Sequence, residues 1–158
     1  MQRIPLTDGY EALVDDADYD FLMQWTWHAT AARGQIRATR RERGHRILMH
    51  RAIMNCADHL EVDHINGNPL DNQRDNLRLA THQQNMWNRQ KHKIFTSRFK
   101  GVYWSKSRGK WCAAINIGNK VRLQLGRFED EELAARTYDA AARKYHGTFA
   151  RTNFTTEE

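Results

Sequence analysis

Within residues 60–88, Asp63, His64, Asn76 and Asn85 place one carboxylate, one imidazole and two amides on a short length of chain. Phosphodiester hydrolysis needs a base to draw a proton from water. It also needs a divalent cation to neutralise the charge that develops on the phosphate and the leaving oxygen. His64 has the side chain for the base. Asp63 and Asn85 offer the hard oxygen donors that Mg2+ accepts, with waters and a substrate phosphate completing the shell; Mn2+ takes similar donors. Asn76 stands where an amide can pin the intervening loop or orient the imidazole.

Local structure must hold these groups. Leu60, Val62 and Ile65 suit a short strand that delivers Asp63 and His64 at its end. Asn66, Gly67, Asn68 and Pro69 are dense turn chemistry, and Pro69 cannot continue a ladder. Leu77 and Leu79 alternate with polar neighbours, as a half-buried returning strand does. Thr81 is a suitable N-cap for a helix carrying Gln84, Asn85 and Asn88. The unit reads strand, loop, strand, helix.

Val62-Asp63-His64, Asn76 within Asp75-Asn76-Leu77-Arg78, and Asn85 after two glutamines together resemble an HNH endonuclease of the branch whose last motif residue is Asn. The resemblance implies a ββα-metal fold, His64 as general base, Asp63 and Asn85 as metal ligands, and Asn76 as the structural middle Asn. His64 and Asn76 are therefore the candidate catalytic residues. His50-Arg51, ahead of the motif, is another recurrent feature of this branch and implies support for the site.

The 158-residue chain has room for one domain or two small ones, each with a modest core. Its net charge of +6 points to a polyanionic partner. Cys56 and Cys112 stand far apart and form no Cys-x-x-Cys pair, against both a disulfide framework and a four-thiolate zinc site. Both read as small buried hydrophobes. No signal-peptide core or long apolar run appears, so a cytoplasmic location is expected, in the host if the gene belongs to a phage, with no membrane partner.

In residues 1–32, short strands and a helical turn near 19–25 are expected, with Trp25 and Trp27 in the core. Asp15, Asp16, Asp18 and Asp20 lack a calcium-loop pattern and read as a solvated face. Arg33, Arg37, Arg40, Arg41, Arg43, Arg46 and Arg51 have Glu42 as their one local acid, and Gly44 divides them into a hairpin. Beside a nuclease motif, such a hairpin reads as a phosphate contact, with Arg37, Arg40 and Arg51 as candidates. The basic run after Asn88 reads as a helix end and linker, giving modules 1–94 and 95–158.

Between Arg98 and Arg127 there are eight lysines and arginines and no acid; acids return at Glu129, Asp130, Glu131 and Glu132. Three strands fit, over 100–105, 110–117 and 120–126. Trp111, Ala113, Ile115 and Ile117 share an apolar face with Val121, Leu123 and Leu125, leaving a polar, cationic face opposite. A helix starts at Asp130 and ends at Gly147, with Leu133, Ala134, Thr137, Tyr138, Ala141 and Tyr145 against the sheet.

Lys100-Gly101-Val102, Gly109-Lys110-Trp111, Leu125–Phe128, the alanine-rich helix, His146-Gly147 and Asn153-Phe154 are similar to an Apetala-two/ethylene-response-factor DNA-binding domain over about residues 97–154. That family lays its sheet in the major groove, implying that Lys100, Tyr103, Lys110, Asn116, Arg122 and Gln124 face DNA. The family usually has Arg at positions 103 and 116, an acid near 114 and Trp near 124, and its first turn is a residue shorter. Sequence preference is therefore not inherited.

The expectation is an α+β protein of two modules, an HNH nuclease followed by a three-stranded antiparallel sheet on one helix. The combination is similar to free-standing homing-type endonucleases of phages. The single Asp-His, Asn, Asn set, without internal repeat, adds the expectation of a monomer that nicks one strand of double-stranded DNA with a divalent metal, and no small-molecule substrate is expected. A DNA-binding regulator with a decayed nuclease site, or a nuclease acting on RNA, would share these features.

Overall fold

A computed structural model describes residues 1–32, 34–90 and 96–155, and the chain divides into two compact units, Met1–Asn85 and Met86–Glu158. Arg33 lies outside the described residues, as do 91–95, where a linker and the module boundary are expected.

The first unit is built from small antiparallel sheets. β1 (Gln2–Pro5) pairs with β2 (Glu11–Val14). α1 (Asp16–Leu22) follows, then a meander of β3 (His28–Ala32), β4 (Gln35–Glu42) and β5 (His45–Leu48). Arg43 and Gly44 join β4 to β5 with φ of 47° and 83°, the left-handed pair that a two-residue hairpin requires. α2 (Met49–Met54) leads to β6 (Glu61–His64), β7 (Leu77–Ala80) and α3 (His82–Asn88), whose residues from Met86 on belong to the second unit. Thr81 Oγ1 accepts from the Gln84 amide at 3.2 Å while Gln84 Oε1 accepts from the Thr81 amide at 2.8 Å. This reciprocal cap fixes where α3 begins.

One core serves all these pieces. Ile4, Ala12, Val14, Leu22, Trp27, Ala38, Met49 and Ile53 pack with Val62 and Leu77 of the β6–β7 ladder. Trp27 is 1% exposed and donates to the Leu22 carbonyl at 2.8 Å. Trp25 is half-buried, with Phe21 edge-on to its ring. The acidic run is not a solvated face throughout: Asp18 is buried, and both oxygens of its carboxylate take nitrogens of Arg74 at 2.6 and 2.8 Å. The Asp15 carboxylate accepts the Arg74 amide at 2.7 Å, which leaves α1 without a side-chain cap from Asp15 and clamps the far loop to its N-terminus.

In the second unit, β8 (Val102–Ser105), β9 (Lys110–Gly118) and β10 (Val121–Phe128) form an antiparallel sheet of order 10-9-8. α4 (Glu131–His146) covers one face, capped by Asp130, whose carboxylate accepts the Leu133 amide at 2.6 Å. Ala134, Ala135, Tyr138, Ala141 and Ala142 are buried beneath it, whereas Leu133 and Tyr145 are 53% and 39% exposed. The contact stripe is thus rotated from the one that favours the larger side chains. Small alanines allow the helix to lie close, and the bulky residues fall on its flanks. Asp139 is 1% exposed and accepts from the Asn153 and Phe154 amides, both at 2.9 Å or less, tying the chain after α4 back to the helix.

Gly101 meets Tyr138 where β8 begins. Its φ is +78°, and a Cβ there would lie 1.9 Å from a carbon of the Tyr138 ring. Gly101→Ala should therefore lower the stability of the second unit by about 3 kcal/mol, through overpacking added to a left-handed backbone. Gly109→Ala, at a turn with open space around it, should cost about 1 kcal/mol, from the backbone alone. Comparing the two unfolding midpoints checks this.

Candidate functional site

Successive residues of a strand point to opposite faces, and β6 uses that to separate its two reactive side chains. Asp63 faces Arg78, its partner in the β6–β7 register. The carboxylate is 5% exposed, and Arg78 Nε and Nη2 both donate to its Oδ2, at 2.8 and 2.6 Å. Glu61, two residues back on the same face, accepts a short hydrogen bond from Asn85 Nδ2 and another from His82 Nδ1 at 2.7 Å. Glu61 thereby brings α3, and with it Asn85, against the carboxylate face of β6.

His64 ends the strand and turns the other way. It is 9% exposed; its Nε2 lies 3.3 Å from Asn72 Oδ1, and the ring meets His50 edge-on with centroids 4.9 Å apart. Burial pushes the His64 pKa below its ordinary value. The Asn72 bond opposes that shift, and the Arg37 cation reinforces it. Burial likewise pushes His50 down, to about 3, with His64, Arg37 and Arg51 adding to the effect. Both rings are neutral at pH 7, the state a base must start from.

Asn76 pins the loop rather than the ring. Its Oδ1 accepts the Asn66 amide at 2.9 Å and its Nδ2 donates to the Asp71 carbonyl at 2.8 Å. Asn72, which sequence reasoning did not single out, is the amide that reaches His64. The signal was present in Asp71-Asn72 at the loop's end, but spacing alone does not tell one loop amide from another.

Two of the three hairpin-region arginines are committed to internal contacts. Arg40 is 9% exposed, lies over Trp25 at 4.2 Å and bonds Glu42 at 2.7 Å, so it is part of the packing around the tryptophans rather than a phosphate contact. Arg51 donates to the carbonyls of Leu60, Cys56 and Ala57 at 2.8, 3.1 and 3.2 Å, and closes the loop between α2 and β6. Arg37 is close enough to disfavour protonation of both histidines, which places its cation beside the site.

In the second unit, Tyr103, Asn116, Arg122 and Gln124 share the sheet face away from α4. Register pairs Tyr103 with Cys112, Arg122 with Asn116 and Gln124 with Ala114. Tyr103 donates to Gln124 Oε1 at 3.2 Å, and the Arg122 guanidinium lies 5.4 Å from the Tyr103 ring centroid. Leu125 stays on the core side with Leu123, and a register shift between Gln124 and Gly126 pairs Arg127 with Cys112. Arg127 therefore joins the cationic face, which strict alternation denies it. Lys110 lies on the same face, paired with Glu129 at 2.8 Å. Lys100 does not reach that face. Its ammonium caps the carbonyls of Trp87 and, at 2.8 Å, Arg89, and burial pushes its pKa down to about 8.

Comparison with known proteins accords with this geometry. The profile of the HNH endonuclease family matches residues 45–87, and that of the AP2 domain matches residues 97–148. Protein 3.8 of Escherichia phage T7 is 41% identical over 90 residues, which are 57% of this chain and 73% of that protein. The chain belongs to the HNH endonuclease family. An uncharacterized HNH endonuclease of Acanthamoeba polyphaga mimivirus is 38% identical over 92 residues, covering 58% of this HNH protein and 46% of the mimivirus one. An AP2/ERF and B3 domain-containing protein of Oryza sativa subsp. japonica is 49% identical over 59 residues, 37% of this chain and 16% of its own length. The chain thus spans less than half of the mimivirus and rice proteins. Membership of the HNH family suggests a phosphodiester hydrolase, the matched AP2 domain suggests DNA binding, and members of the HNH family typically use a divalent metal.

The buried neutral histidines carry a pH dependence. In the unfolded chain His50 binds a proton near pH 6.5, in the folded one only near 3. Its contribution is therefore present above about pH 6.5 and is lost as pH falls. Between about pH 7.5 and 5.5 the unfolding free energy should drop by about 1.4 kcal/mol from His50 alone. Urea unfolding at both pH values, with His50→Leu as the flatter comparison, measures it.

Proposed function

We propose that the chain is a DNA endonuclease that nicks one strand of duplex DNA, with His64 as general base, Asp63 and Asn85 as holders of Mg2+, and the sheet face of the second unit as the DNA contact. The observation that carries the reading is a buried neutral imidazole at the end of β6, adjacent in sequence to a carboxylate whose strand face is packed against the helix bearing Asn85. The donor set of one carboxylate and one amide oxygen suits a hard cation. Such a cation, when bound, supplies neutralising charge to the phosphate and the leaving oxygen.

The protein's own part is proton transfer and positioning. His64 accepts a proton from the attacking water as the water oxygen bonds to phosphorus and the opposite ester bond breaks. Arg37 offers a cation beside that ring for the phosphate. Asn76 keeps the loop after β6 in shape. Tyr103, Lys110, Asn116, Arg122, Gln124 and Arg127 take the duplex on the sheet face, and preorganisation of Tyr103 with Arg122 and Gln124 lowers the entropy lost on contact.

The chain holds a single Asp-His, Asn, Asn set and no internal repeat, so one protomer engages one phosphodiester at a time. Supercoiled plasmid with Mg2+ should give open circle first, and chelator should abolish it. Linear product appearing without open circle, at a rate rising with the square of protein concentration, would replace the monomeric nickase by a dimer. Binding without cutting under any divalent cation would replace it by a regulator. His64→Ala and Asp63→Ala should each slow cleavage by roughly 10²-fold or more with DNA affinity unchanged. Arg122→Ala should weaken binding and reduce its salt dependence by about one released counterion.

A further inference from the structure

We propose that Asn72 is the positioning residue of the nuclease site: its side-chain oxygen takes the Nε2 proton of His64, which makes Nδ1 the atom that accepts the proton of the attacking water. The inference rests on the reading of His64 as the base and adds which nitrogen acts and what selects it.

The Asn72 side chain is 0% exposed, among the largest fully buried side chains of the chain. A primary amide is not taken out of water unless its polar atoms are bonded. Its nitrogen can only donate and its oxygen only accept. Nδ2 donates to the Pro69 carbonyl at 3.4 Å, which turns Oδ1 toward His64 Nε2 at 3.3 Å. An oxygen in that place makes Nε2 the donor. A neutral imidazole carries one N–H, so the lone pair falls on Nδ1.

Two further constraints hold the ring and the amide. His50 stands edge-on to His64, with an 84° interplanar angle, and opposes rotation of the ring. The backbone of Asn72 is fixed from the other end of the unit: its amide donates to the Leu13 carbonyl at 2.8 Å, and the Leu13 amide donates to the Leu70 carbonyl at 2.8 Å. Asp71 forms a parallel bridge with Leu13, and Asp15 accepts the Arg74 amide. β2 and the start of α1 thus set where Asn72 sits. Asn76 spends both ends of its amide on loop backbone. The two amides divide the work, one shaping the loop and the other selecting the tautomer.

The test uses the full chain, 15N-labelled and free of divalent cation. Long-range proton–nitrogen correlation identifies which imidazole nitrogen is protonated, and the His64→Gln spectrum assigns the His64 signals. In the unsubstituted protein at pH 7.5 the proton should sit on Nε2. Asn72→Leu, with the same branched skeleton but unable to accept, should shift His64 toward a mixture of tautomers. Single-turnover cleavage of plasmid with Mg2+ should fall roughly 10- to 100-fold, the usual effect of losing an orienting partner, with DNA affinity within twofold. Asn72→Asp, which restores an acceptor, should return the Nε2 proton. A His64 proton on Nδ1 in the unsubstituted protein overturns the proposal even if no variant folds. So does normal cleavage by Asn72→Leu where His64→Ala is inactive. Full activity of His64→Ala would instead remove the reading on which the proposal rests.

Discussion

A two-stranded ladder and one short helix cannot bury a side chain on both faces, yet the imidazole of His64 is buried, and burial together with the Arg37 cation keeps it neutral. Most of the first unit answers that constraint. β6 and β7 contribute Val62 and Leu77 to a core whose bulk comes from β1, β2, α1, β4 and α2. His50 of α2 covers one side of the ring, and the loop before Asn76 covers another. The segments ahead of the motif are structural parts of the site, linked to it by the Leu13 backbone and by the carboxylates of Asp15 and Asp18.

The second unit solves a different problem, that of offering one cationic face while keeping the other apolar. Alternation does most of this, and the irregularity in β10 completes it. The shift at Leu125 returns Phe128 to the core opposite Trp111 and leaves Arg127 on the outside. Gly126, with φ of 151°, permits that bend next to the Phe128 ring. One inserted residue thus adds a charge to the polar face without removing an apolar side chain from the core.

The ladder, the capped α3, the three-stranded sheet and α4 were legible because each has a local cause: alternation, a Thr–Gln capping pair, a glycine turn, an Asp cap. So were Asp63 and His64, adjacent at a strand end. What alternation and composition do not specify is the destination of a long side chain. Arg40, Arg51 and Lys100 read as surface cations, but each was drawn inward, to two tryptophans, to three loop carbonyls and to a helix end. Asp18 reads as solvent-facing until Arg74, 56 residues away, arrives to pair with it. Asn72 and Asn76 are chemically identical, and only the closed loop shows which of them meets His64. The contacts missed are side-chain contacts between segments distant in sequence or across a folded loop.

The pairing of Asp63 with Arg78 bears on how the proposed metal site would be loaded. A buried carboxylate without a counter-charge would oppose folding, and a site of that kind would make the ion a condition of the native state, as in small zinc-built domains. Here Arg78 supplies the counter-charge from the neighbouring strand. The carboxylate of Asp63 is therefore balanced by protein contacts alone, whatever the concentration of free cation. With Asp63 as the proposed metal ligand, loading would be a separate and reversible event in which the incoming ion and Arg78 share one carboxylate, so that cation supply would govern when the site works and not whether it folds.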